Sequence, residues 1–171
     1  MSYRQLYNKL MIVAHPDDES IFGGGALISQ PGWKVICLTN GSDAVRAKEF
    51  KQAMEFAQAS YEIWDYPDEY EGSFDGEQVK NDVEKVLKSG HYERIMTHNL
   101  HGEYGHSQHK ALSRILHNMR LNNLCVFDTT DEKLPDNILK KKMELLRHYD
   151  SQMYVIDGLE SYILYERIIK D

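Results

Sequence analysis

No apolar run in the 171 residues approaches the roughly 18–20 that a membrane-spanning helix needs, so membrane insertion is not expected. Cysteine is nearly absent. Cys37 and Cys125 are the only two, and neither has a second cysteine at metal spacing. A disulfide framework and a thiolate metal site are therefore excluded, and both are expected to be reduced thiols inside buried strands. Positive charge is also short: 20 Lys and Arg stand against 27 Asp and Glu, a formal charge of -7. That balance argues against a nucleic-acid partner or an anionic membrane surface. The run Lys140-Lys141-Lys142 does not overturn this and reads as a solvated helix face. No long apolar stretch follows Met1-Ser2-Tyr3-Arg4-Gln5-Leu6, and the expected location is cytoplasmic.

The length suits one domain over residues 1–171. Short β-rich runs alternate with segments of helical period, the pattern of a parallel sheet with crossover helices. The expected strands are 10–14, 33–39, 61–65, 93–98, 124–128 and 161–169. Between them Ala47, Phe50, Ala53, Met54 and Ala57 recur at three and four residues, as do Val79, Val83, Val86 and Leu87, and both sets read as amphipathic helices. The second should end at Ser89-Gly90, and another should follow Pro135-Asp136. Residues 69–76 form a polar, Gly-containing loop.

Two motifs carry chemistry. His15-Pro16-Asp17-Asp18-Glu19 closes the apolar run Leu10–Ala14, where α/β proteins keep their sites. His106 and His109 follow the run 94–97 and share one face if a helix begins near Ser107. Two imidazoles and a carboxylate are the three-ligand set of a catalytic zinc with an open position for water, whose pKa falls to about 7 on zinc. One of the two acids can then ligate while the other does acid–base work, and one of the three histidines is spare. The bland alternative makes Asp17-Asp18 a helix N-cap and His15 a loop residue. A phospho-receiver reading would force Asp65 and Lys133 into its acceptor and lysine roles, leaving His15, His106 and His109 without any. Gly23-Gly24-Gly25 is expected to let the next segment pass close to the pocket.

The segment Ala14–Glu19 followed by Gly23–Gly25 resembles the signature of the PIG-L-type (LmbE-like) zinc-dependent N-deacetylases. Leu38–Gly41, Arg46–Glu49, Gly102–His106 with His109, and His148–Gln152 fall in that family's order. The resemblance, over roughly residues 10–152, implies an α/β fold, a Rossmann-like three-layer sandwich with a mostly parallel central sheet. It implies hydrolysis of an N-acetyl group, usually from an N-acetylglucosamine unit. By position, His15, Asp18 and His109 match the family's zinc ligands, with Fe2+ or Mn2+ as other divalent candidates. Asp17 matches the general base and His106 the second catalytic group. Tyr104 matches a tyrosine that reaches oxyanion or sugar, Arg46 one that binds substrate hydroxyls, and Asp68 a sugar-binding acid. The partner implied is a small-molecule or glycan substrate, with a homo-oligomer left open.

Two departures stand out. Gln108 occupies the place of an aspartate that, in many relatives, hydrogen-bonds the catalytic imidazole; the expectation is that Gln108 orients His106 without charging it and so lowers its pKa. The chain is also shorter than many members, which predicts an open pocket suited to a larger glycan or a second subunit. An amidase for a larger acyl group and a metal-keeping glycan-binding pseudoenzyme are the alternative functions.

Overall fold

A computed structural model describes residues 7–170; residues 1–6, including the N-terminal segment discussed above, and residue 171 lie outside it. Six strands form one sheet: β1 (Lys9–Val13), β2 (Trp33–Thr39), β3 (Ser60–Tyr66), β4 (Arg94–Thr97), β5 (Leu124–Thr129) and β6 (Glu166–Lys170), in the order β3-β2-β1-β4-β5-β6. The first five are parallel, and β6 runs antiparallel to β5. Helices α1 (Asp18–Ser29), α2 (Ala44–Phe56), α3 (Gly76–Lys88), α4 (Ser107–Asn118) and α5 (Asp136–Leu146) make the crossovers, followed by short α6 (Met153–Ile156) and α7 (Glu160–Leu164). This is the mixed α/β, mostly parallel sandwich expected.

The central strand β1 explains why its sequence is an unbroken apolar run: both faces are covered. Leu10, Ile12 and Ala14 pack with Val79 and Val83 of α3 and Leu112 and Leu116 of α4. Met11 and Val13 face the opposite way, toward Phe22 of α1, Phe50 of α2 and Leu145 of α5. Each buried side chain of this size stabilises the fold by roughly 1.5–3 kcal/mol. Strand order reverses at the β1–β4 boundary, and the carboxyl ends on either side of that switch point hold the site. Hydroxyls tie these ends together: Thr39 Oγ1 donates to Ala14 O at 2.8 Å and Thr97 Oγ1 to Ile12 O at 2.8 Å.

Several local expectations are corrected. Residues 161–169 are not one strand, because Glu160–Leu164 is helical; helical spacing sets Tyr162 against Phe22 with ring centroids 5.4 Å apart and buries Ile163. The end of α3 falls where expected, with Ser89 as its C-cap in a right-handed conformation. Lys142 is not on a solvated face. It is fully buried, with Nζ 2.7 Å from Glu166 Oε1 and donating to Ile163 O at 2.9 Å. The three glycines of α1 do not face the pocket. A Cβ on Gly23 would meet Met11 and Phe127 at 2.8–2.9 Å, one on Gly24 would meet Lys142 at 3.0 Å, and one on Gly25 would meet Glu166 at 2.8 Å. They admit the sheet and the Lys142–Glu166 pair. Asp65 accepts from Ser42 N and Oγ at 3.0 and 2.9 Å, a loop-bracing role.

Candidate metal and acid–base site

His15 leaves the end of β1, Pro16 turns the chain, and Asp17 takes φ 111° before α1 begins. That left-handed backbone is strained for a residue with a Cβ, at roughly 1–3 kcal/mol. It is held by the Asp17 N–H donating to Glu19 Oε2 at 3.2 Å and by Asp17 O accepting from Ser20 and Ile21. Asp17 is thus the N-cap position of α1, but its side chain makes no capping bond. The carboxylate is left to the pocket, buried.

Three donor atoms converge next to it. His15 Nδ1 lies 3.2 Å from Asp18 Oδ2 and 3.2 Å from His109 Nε2, and His109 Nε2 lies 3.1 Å from Asp18 Oδ2. Ligands about 2.0–2.2 Å from one tetrahedral centre stand at nearly this spacing from one another. The far nitrogens of both rings are committed to acceptors. His15 Nε2 donates to Gln108 Oε1 at 2.8 Å, with Asp68 Oδ1 at 3.3 Å, and His109 Nδ1 donates to Glu103 Oε1 at 2.9 Å. These bonds turn two imidazole lone pairs and a carboxylate toward one point, the arrangement that second-sphere acceptors impose on metal-binding histidines. The residues present therefore fit a divalent cation.

The family assignment rests on sequence as well. The model described as PIG-L, GlcNAc-PI de-N-acetylase, matches residues 10–120, more than half of the chain. The chain belongs to the PIG-L family. A protein of Acanthamoeba polyphaga mimivirus named uncharacterized protein L374 is 41% identical over 174 residues, covering 91% of this chain and 76% of that one. Among solved structures, N,N'-diacetylchitobiose deacetylase from Pyrococcus horikoshii superposes with TM-score 0.71 at 14% identity, over 95% of this chain and 84% of the other. GalB, the 4-carboxy-2-hydroxymuconate hydratase of Pseudomonas putida, superposes with TM-score 0.71 at 16% identity, over 95% of both chains. At those identities the likeness is one of fold.

Around His15, Asp18 and His109 the electrostatics divide the acids. Burial alone would raise the Asp18 carboxyl, but the charge and hydrogen bonds of His109 and His15 hold it well below the usual range. Burial and the Asp18 charge push Asp17 well above its usual range. Burial opposes protonation of His15, yet hydrogen bonds and charge from Asp18 and Asp68 raise it to about 10, so this position favours positive charge. Burial, with His109 and His15 close by, lowers His106 to about 4.

His106 is the N-cap of α4, its Nδ1 accepting from Gln108 N at 3.1 Å. Nε2 therefore carries the proton of the neutral ring. Its ring stacks on His109 at 4.6 Å and lies 4.7 Å from that of His15. Other donor groupings within 4.8 Å are His15, His106 and His109, and Asp18, His98 and His109. His98 is less free to ligate, since Nε2 accepts from Ala14 N at 3.0 Å and Nδ1 donates to Glu103 Oε1 at 2.6 Å.

All eight residues singled out from sequence meet here, seven of them, His109 excepted, lining a cavity of about 520 Å³. Arg46, in the first turn of α2, does not pair with Glu49. Nη1 donates to Asp68 Oδ2 at 3.1 Å and Nη2 to Pro16 O at 2.9 Å, and Nε is buried without a partner. Glu49 instead accepts from Ser151 N at 2.8 Å. Tyr104 stacks on Phe22 and stands edge-on to His109.

The expectation that Gln108 orients His106 through its side chain is corrected. Fully buried, Gln108 accepts from His15 and from Glu69 N at 3.1 Å, and donates to Pro67 O at 2.8 Å and Ser73 O at 3.3 Å. The polar loop expected at 69–76 is tied at Glu69 and Ser73 to Gln108, which in turn holds His15. Sequence reasoning also missed His98 and the bridging role of Glu103, though His98 ends an apolar run as His15 does. Of the second wall, Gln152 closes the segment His148–Gln152 noted in the sequence, whereas Tyr154, Val155 and Leu159 were not singled out.

Proposed function

We propose that this protein is a cytoplasmic, metal-dependent N-deacetylase that removes acetyl from an N-acetylglucosamine-type amino sugar or its conjugate. His15, Asp18 and His109 would hold the ion, zinc being the first candidate because two imidazoles and a carboxylate at tetrahedral spacing suit it. The observation that carries the reading is this triangle of donor atoms, 3.1–3.2 Å on each side, with the uncapped carboxylate of Asp17 in the same pocket.

A divalent cation at this position supplies Lewis acidity toward the amide carbonyl. Asp17 takes the proton of the attacking water; burial and its neighbour Asp18 make it a stronger base than a free carboxylate. His106 acts from Nε2, donating toward the developing oxyanion as a neutral ring, since Nδ1 is occupied by the Gln108 N–H. Arg46 and Asp68, locked together in the pocket wall, set a fixed polar pair beside the sugar.

The test is acetate release from N-acetylated sugars by metal-loaded protein, with a chelated control. Chelator-sensitive release is expected. Silence across free, nucleotide-linked, lipid-linked and oligomeric sugars with metal bound would overturn the reading in favour of another amide.

A further inference from the structure

Among the large apolar side chains that stand exposed, Tyr70 and Tyr154, at 81% and 78%, are the most open, and both line the cavity that holds Asp17 and His106. They come from separate segments, Tyr70 from the loop after β3 and Tyr154 from α6. Neither segment is loosely held. Gln108 bonds to Pro67 O, Glu69 N and Ser73 O on both sides of Tyr70, and Ser107 Oγ donates to Tyr70 O at 2.9 Å. The Tyr70 ring stands edge-on to His106 at 5.8 Å. On the other lip, Ser151 is bonded to Glu49, and Tyr149 to Glu19. Two amphipathic ring faces presented to water beside a polar pocket match the apolar C–H face of a pyranose.

The charge on these lips narrows the ligand further. Residues 67–75 carry Asp68, Glu69, Glu71 and Asp75, and residues 150–160 carry Asp150, Asp157 and Glu160, with no Lys or Arg in either. Among the residues lining the cavity Arg46 is the single Lys or Arg, and its Nη atoms are bonded to Asp68 and Pro16 O. A cation at the metal site would offset the inner acids Asp17 and Asp18, leaving the rim acidic. Clustered Lys and Arg are the usual partners of a phosphate, and no such cluster lines this mouth.

Building on the deacetylase reading, we propose that the mouth selects an uncharged oligosaccharide, a second sugar ring stacking on Tyr70 and Tyr154 beside the acetylated unit, and disfavours amino sugars linked through phosphate. The discriminating experiment compares kcat/KM for acetate release from N-acetylglucosamine, its β-linked di- and trimers, an alkyl glycoside, the 1-phosphate and the UDP conjugate. The oligomers should exceed the monosaccharide by about tenfold or more, and the phosphate-linked sugars should fall below it.

Tyr154→Ala and Tyr70→Ala should bring the oligomer-to-monosaccharide ratio down toward one, mainly through KM. Equal or better use of the phosphate-linked sugars, preference for the alkyl glycoside, or a ratio indifferent to both tyrosines would overturn the proposal while leaving the deacetylase intact. Calorimetric binding of the trimer to Asp17→Asn supplies a readout without turnover. Binding lost in the double variant Asp17→Asn/Tyr154→Ala would uphold the subsite even if no acetate were released, and binding unchanged there would overturn it.

Discussion

Gln108 Oε1 accepts a hydrogen bond from His15 Nε2 at 2.8 Å, so the side chain that departs from the family's usual aspartate acts on His15, while only the backbone N–H of Gln108 reaches the His106 ring. Its amide nitrogen meanwhile holds Pro67 O and Ser73 O, which a carboxylate could not do because it has no N–H to give. The amide is the side chain that satisfies both sides at once.

Substituting Gln108 by Asp should therefore weaken metal binding by about 10–100-fold, the usual scale for an outer partner of a metal-bound histidine, and raise KM as the Tyr70 loop loses its anchor. The acid limb of the pH–rate profile should stay in place. Competition with a chromophoric chelator reads the first effect; a limb displaced toward higher pH would restore the view that this position governs His106.

Glu103 joins His109 Nδ1 and His98 Nδ1 through one oxygen, and its other oxygen accepts from Asn99 N at 2.8 Å. Those imidazoles hold its carboxyl down to about 2 against the effect of burial. Glu103→Gln keeps the shape but lets an N–H face a ring N–H. We expect about 10–100-fold weaker metal retention and a smaller rise in Tm on adding zinc. A zinc-induced shift in Tm as large as that of the unsubstituted protein would contradict this.

Asp17→Asn should lower kcat by about 10²-fold or more, the range for a general base, with metal content unchanged because Asp17 lies outside the triangle. Loss of metal along with activity would mean that Asp17 is a ligand.

The buried pair Lys142–Glu166 makes a separate, structural prediction. Glu166 also accepts from Gly25 N and Ala26 N at 2.8 and 2.9 Å, joining α1, α5 and β6. Removing one partner strands a buried charge, so Glu166→Ala should cost about 3–5 kcal/mol in denaturant unfolding. The double change Lys142→Met with Glu166→Gln should recover part of that, since the ammonium, whose pKa burial lowers, is gone as well. A double variant no more stable than Glu166→Ala would count against this account.

Sequence by itself determined the layering and the position of the chemistry. Apolar runs such as Leu10–Ala14 can be buried only between two helical layers, and the acids and imidazoles that follow such runs must emerge at the carboxyl edge of the sheet. Local spacing also placed His106 and His109 at the start of α4, where His106 is the N-cap and His109 lies one turn on.

Tertiary structure decided what local spacing cannot carry. The run at 161–169 bends into helix first because Tyr162 and Ile163 find partners on α1 and α5, and Lys142 is buried because Glu166, 24 residues away, meets it behind Gly24 and Gly25. The Gln108–His15 bond spans 93 residues, and the wall bearing Tyr154 reaches the pocket only when the chain after α5 folds back over α1. Contacts between distant residues leave no periodic mark in a sequence; they exist only once the sheet has brought its strand ends together.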